Sequence, residues 1–226
     1  MTAYSSAVIP LTITEEHDHV HNGRLETPMR LDAHQLSDEE KIARIAHHFE
    51  AIMHTMGLDL SDDSLRDTPK RVAKMYINEF FSGLNPKNKP SVSLFDNQYQ
   101  YGEILIEKNI RVHSYCEHHF VPITGVAHIA YKSSGKVIGL SKLNRIVDYY
   151  SRRPQVQERL TRQIGQDLCR VLETDDVAVI IDAAHMCVSS RGIKDPHSST
   201  ITAEYSGCFK DLDQRKELLA LLKISD

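Results

Sequence analysis

Residues 154–188 read PQVQERLTRQIGQDLCRVLETDDVAVIIDAAHMCV. The period of this run changes in the middle. After Pro154, Val156, Leu160, Ile164, Leu168 and Val171/Leu172 recur at helical spacing and give one apolar face. From Val177 to Val188 the run is short, apolar and rich in β-branched residues, which predicts a strand. Side chains alternate along a strand, so Val177, Val179, Ile181 and Ala183 share a face, and His185 and Cys187 are expected further along it. A helix followed at once by such a strand points to a layered fold of mixed α and β character.

The flanking sequence extends the pattern. Ile104 to Tyr115 and Gly125 to Tyr131 are β-rich runs, and Ser141 reads as the N-cap of a helix carrying Leu143, Ile146, Val147 and Tyr150. Ser199 to Tyr205 is a partner strand, and Asp211 to Lys223 a short terminal helix. The order strand, strand, helix, helix, strand, strand, helix predicts an antiparallel α+β domain over residues 91–226. Before it, Ser37 and Glu40 form a capping box. Ile42, Ile45, Ala46, Phe49, Ile52, Met53 and Met56 then keep helical spacing up to Gly57. Thr68 as N-cap and Pro69 at the first helical position open a second helix that runs to Gly83. These two helices make a helical subdomain over 37–90. Residues 1–36 show no sustained period and read as a variable arm, ordered on a partner subunit, with His17, His19 and His21 in a solvated tail.

Composition narrows the function. Of 226 residues, 41% are apolar and 26% charged, ordinary for a globular protein. The formal net charge of −4 gives no global basic field, so nucleic acid is not an expected partner and any anionic ligand needs a local basic cluster. Four scattered cysteines do not make a secreted disulfide framework. With no apolar run of membrane-spanning length and no leader pattern, the expected location is the cytoplasm, away from any membrane.

Cys116 and His119 stand three positions apart, so one loop can offer both to a single ion. Cys187 is the best third ligand. Two thiolates, one imidazole and a water form a known catalytic zinc set. His118 and His185 each neighbour a ligand without needing to bind the metal, and proton transfer near neutral pH needs such groups. A closed structural zinc site, with His118 or Cys208 as fourth ligand in a non-catalytic module, is the competing arrangement.

Between the cysteines lies an anion-binding stretch. A helix starting at Ser141 offers backbone N–H groups and its positive end, with Lys142 and Arg145 three apart beside it. Arg191, Arg71 and Lys74 are further phosphate candidates, whereas Arg152, Arg153 and Arg162 read as a solvated basic face. Gln157 and Glu158 open the next helix. A carboxylate there suits the helix dipole, and its two oxygens also match the adjacent N1–H and 2-amino donors of guanine.

Taken together, Cys116-Glu117-His118-His119-Phe120, Gly139-Leu140-Ser141-Lys142, the run Arg153 to Thr161, and His185-Met186-Cys187 with Arg191-Gly192 resemble the GTP cyclohydrolase I family. The similarity runs from about Leu60 to the C-terminus and includes Thr68 to Tyr76. It implies zinc on Cys116, His119 and Cys187, with His118 and His185 as proton-transfer groups. It further implies guanine held by Glu158 and Gln157, and triphosphate held by Ser141, Lys142, Arg145 and Arg191. Arg71 and Lys74 would join from an adjacent subunit. The implied substrate is GTP, the implied fold a tunnelling fold, and the implied assembly a decamer of two pentamers. Asp195-Pro196-His197 departs from the pattern after Arg191-Gly192, so the loop into the last strand is expected to be shaped differently.

Overall fold

The computed structural model describes residues 25–223; the histidines at 17, 19 and 21 and most of the expected arm lie outside the described residues. Helix α1 (Asp38–Thr55) starts as its sequence dictates. The Ser37 hydroxyl accepts from Glu40 N–H at 3.2 Å, and Glu40 Oε2 accepts from Ser37 N–H at 2.8 Å. Gly57, at φ 79°, supplies the left-handed residue past its end. Helix α2 (Thr68–Met75) has Pro69 in its first turn, but the cap position is Asp67 rather than Thr68. The preceding turn already feeds the helix, since Thr68 N–H donates to the Leu65 carbonyl at 2.9 Å. Beyond Met75 the chain widens into a π-helical turn over Tyr76–Phe80 and then tightens to a 3₁₀ turn over Ser82–Leu84.

The main sheet has five strands in the order β5-β2-β3-β6-β7. Strands β2 (Leu105–Cys116), β3 (Pro122–Tyr131), β6 (Val177–His185) and β7 (Thr200–Tyr205) pair antiparallel in sequence, while β5 (Pro154–Gln155) adds parallel to the end of β2. A separate ribbon joins β1 (Leu94–Asp96) to β4 (Lys136–Ile138). The expected antiparallel α+β architecture is present, with a short parallel edge that the hairpin pattern did not contain.

Helices α3 (Leu140–Ser151) and α4 (Gln157–Leu172) cover one face of the sheet. Leu160, Ile164, Leu168 and Leu172, fully buried, join Val177, Val179 and Ile181 in one core. Each such side chain contributes on the order of 2 kcal/mol by leaving water. On the opposite face Ala130, Ala178 and Ile180 meet Phe209 and Leu218, the latter from α6 (Leu212–Lys223). The expected solvated basic face is only partly that. Arg153 is 7% exposed and lies over both Tyr149 and Tyr150 at 4.6 Å, because its apolar stem packs and its cation rests on aromatic faces. In the loop before β7, Asp195 Oδ1 accepts from His197 N–H at 2.9 Å, a local turn around Pro196. No helix among the described residues is long and apolar enough to cross a membrane.

Candidate active site

The site is built on the turn between β2 and β3. Cys116 N–H donates to the Val121 carbonyl at 2.9 Å, and Phe120 N–H donates to the Cys116 carbonyl at 2.8 Å. Glu117 N–H donates to the Gln155 carbonyl at 3.0 Å, which fastens the turn to β5. Phe120 sits at φ 54°, a left-handed conformation that costs energy for a residue with a side chain. Its ring packs on Phe81 at 5.0 Å and meets Tyr76 edge-on at 6.5 Å, while Phe80 stacks on Tyr115 at 4.0 Å. Aromatic residues of the helical segment thus hold the turn in place. The clustering of Tyr76, Phe80 and Phe81 was the sequence signal for this clamp, but spacing alone does not show what it grips.

Cys116, His119 and Cys187 converge, with ligand atoms all within 4.8 Å of one another. His119 Nδ1 lies 4.0 Å from Cys116 Sγ, and His118 Nδ1 lies 3.7 Å from the same sulfur. Cys116 is buried, Cys187 half-buried and His119 exposed, so the cluster has a closed floor and an open side. Burial pushes the Cys187 thiol up, and the neighbouring Cys116 reinforces the shift. Two soft sulfurs and an imidazole nitrogen around one point fit zinc, whose charge would favour both thiolates.

Cys187 arrives by a route the alternation rule did not give. Strand β6 ends at His185, and α5 (Met186–Ser189) is a single helical turn. β7 pairs only as far as Ala183, so the strand's end has lost one neighbour. There the Ser190 hydroxyl donates to the Met186 carbonyl at 2.6 Å and Ser189 Oγ to the His185 carbonyl at 3.4 Å, competing with the ladder. Cys187 therefore comes from a helical turn, not from the strand face that carries His185.

His185 is half-buried at the strand end, and burial lowers its pKa while the Glu158 carboxylate opposes that shift. Its Nε2 lies 2.8 Å from Gln157 Oε1. Gln157 is 1% exposed, so its amide is engaged inside the protein, whereas Glu158, one position on, is exposed. Arg191 Nη1 lies 2.9 Å from His119 Nε2, which brings that arginine to the cluster. Helix α3 begins one residue before Ser141, with Gly139 as its cap and no side-chain capping bond. Ser141 and Lys142 thus occupy the first turn, near the positive end, with Arg145 exposed in the next. Arg71 and Lys74 are exposed on α2, where Arg71 faces Asp67 at 3.8 Å. Among the described residues neither makes a polar contact with the cluster. One partner escaped the sequence analysis altogether: Arg159, buried beside the turn, pairs with Glu117. An arginine inside an amphipathic helix gives no advance sign of this.

Comparisons with known proteins bear on this geometry. The family model for GTP cyclohydrolase I matches residues 45–223. "GTP cyclohydrolase 1" of Flavobacterium johnsoniae is 59% identical over 197 residues, covering 87% of this chain and 88% of its own. The protein of that name from Aeromonas hydrophila is 52% identical over 200 residues, covering 88% and 91%. The one from Vibrio parahaemolyticus is 52% identical over 186 residues, covering 82% and 85%. Among solved structures, the archaeosine synthase QueF-Like in the apo form covers 48% of this chain and 97% of its own, at TM-score 0.41 and 16% identity, too loose a likeness to build on.

Proposed function

We infer the reaction from one premise: the chain belongs to the GTP cyclohydrolase I family and is an enzyme of that kind. We propose that it converts GTP and water to 7,8-dihydroneopterin triphosphate and formate, the opening step toward pterins and folates. The observation that carries this is the convergence of Cys116, His119 and Cys187, with His118 Nδ1 3.7 Å from Cys116 Sγ and His185 two positions before Cys187.

In this proposal Cys116, His119 and Cys187 hold one zinc ion. Zinc bound there supplies an activated water near neutral pH. His185 places a proton on the purine N7, which makes C8 open to attack, and His118 serves as a second shuttle while the imidazole ring opens and formate leaves. Glu158, exposed in the first turn of α4, pairs its two oxygens with guanine N1–H and the 2-amino group. The first turn of α3 and its flank, with Ser141, Lys142 and Arg145, receive the triphosphate together with Arg191. Arg71 and Lys74 complete that cradle from an adjacent subunit, consistent with their distance from polar partners in their own chain's cluster. The assembly proposed is a decamer of two pentamers, in which tunnelling-fold sheets from neighbouring subunits close one another's edges.

The test is direct. Purified protein incubated with GTP should release formate and, after oxidation, a fluorescent pterin, and a chelator should abolish both. Formate-free incubation of zinc-loaded protein with GTP overturns the proposal.

A further inference from the structure

The Gln157 carboxamide sits in an enclosed ring of polar groups that fixes which way the amide points. Its Nε2 faces the Thr200 carbonyl at 2.8 Å, the Ile181 carbonyl at 3.1 Å and Thr202 Oγ1 at 3.1 Å. Two of these are carbonyl oxygens and only accept, so the amide nitrogen must lie on that side. Reversing the amide would set Oε1 against two backbone oxygens in a site 1% exposed. The hydroxyls close the ring. Thr161 Oγ1 donates to the Gln157 main-chain carbonyl at 2.8 Å, so at 2.6 Å from it Thr202 must be the donor. Oε1 is then the end that faces His185 Nε2 at 2.8 Å, and a carboxamide oxygen can only accept. Nε2 must therefore carry a proton. Among the described residues, Nδ1 of His185 has no hydrogen-bond partner.

We propose that Gln157 is a positioning residue for His185: it fixes the Nε2–H tautomer, so Nδ1 is the ring nitrogen that takes up a proton from water and passes it to substrate. This rests on the reaction proposed above and changes the part given to Gln157, whose amide orients a histidine instead of reading guanine. The strands β6 and β7 and the first turn of α4 supply the acceptors, so the tautomer is set by the fold itself.

The experiment is a double-mutant cycle on the zinc-loaded assembly with GTP. Gln157→Ala should lower kcat roughly 10–100-fold, the range for a group that orients another and less than loss of the histidine itself, and leave KM and zinc content near wild type. In a His185→Ala background the same substitution should change nothing further, because its effect passes through the imidazole. A rise in KM with kcat kept, or an equal loss in both backgrounds, overturns the proposal. Since Gln157 is buried, its alanine variant can fail to fold, so a second measurement uses the wild-type side chain. Magic-angle-spinning spectra of ¹⁵N-histidine-labelled protein, with His185 identified by its loss in His185→Ala, should show protonated Nε2 and bare Nδ1. A protonated Nδ1 overturns the assignment. If wild-type protein releases no formate from GTP, the reaction itself is wrong, and the spectrum still decides the tautomer.

Discussion

Arg159 donates to Glu117 at the root of the turn between β2 and β3, with the two side chains only 7% and 16% exposed. The same guanidinium donates to the Pro154 carbonyl at 2.9 Å and to Gln155 Oε1 at 3.0 Å. Gln155 in turn donates to the Tyr150 carbonyl and to Gln163, and Gln163 to the Leu25 carbonyl. The turn bearing Cys116, His118 and His119 is therefore fastened to α4 by a buried polar network.

Removing the acid should cost more than the pair is worth, because it strands a buried cation. Glu117→Ala is expected to destabilise the protein by about 3 kcal/mol. It should also weaken zinc retention, since the ligands lie one and two residues away. Glu117→Gln keeps an acceptor for Arg159 and should lose less on both counts. Denaturant midpoints and bound zinc in the two variants check this, and a wild-type midpoint for Glu117→Ala would show that the network does not brace the turn.

Cys116→Ser and Cys187→Ser should each lose bound metal and turnover together while circular dichroism stays close to wild type. The core of Leu160, Ile164, Leu168, Val179 and Ile181 owes nothing to the site, so the fold should outlast the metal. Full zinc occupancy in both variants would show that the ion is held elsewhere.

Where one physical rule dominated, the sequence was legible. The α4 pattern and the β6 pattern lie in a single core, and neither needs distant information to be read. Ser37 and Glu40 are reciprocal partners three residues apart, so a local motif was enough. Ser141 and Thr68 failed as caps because a cap depends on where the backbone enters the helix, which the turns before them decide. Cys187 does meet Cys116 and His119, but from a helical turn and not from the expected strand. Its strand stops where β7 no longer pairs, and pairing limits are a tertiary property. The pairing of Arg159 with Glu117 and the grip of Phe81 on Phe120 were not legible for the same reason: the partners lie far apart along the chain.

Gly125 of β3 lies opposite Ala183 of β6. A Cβ there would stand 2.1 Å from the Asp182 carbonyl oxygen and 2.5 Å from Ala183 Cα, both main-chain atoms that cannot swing aside. Gly125→Ala should force the two strands apart just behind His185 and cost on the order of 3 kcal/mol. Gly102→Ala, where a Cβ meets nothing within 4 Å, is the control and should stay within about 0.5 kcal/mol. Thermal unfolding of both variants reads the difference; equal midpoints would mean that the sheet absorbs the methyl group.

The last prediction separates the two adjacent histidines of the turn. Each presents Nδ1 to Cys116 Sγ, His118 at 3.7 Å and His119 at 4.0 Å, so distance to the sulfur does not distinguish ligand from shuttle. Convergence with the second thiol does, because His119 belongs to the group that closes on Cys187. His119→Ala should therefore strip or weaken zinc. His118→Ala should keep zinc and GTP binding and lose turnover by roughly 10²–10⁴-fold, the range for a general acid–base group. A closed structural site predicts the opposite for His118, since a fourth protein ligand would reduce zinc retention as much as the third when removed. Metal analysis together with rapid GTP-binding measurements on both variants decides the matter. If His118→Ala loses its zinc, the open coordination position is gone, and with it the activated water on which the proposed hydrolysis depends.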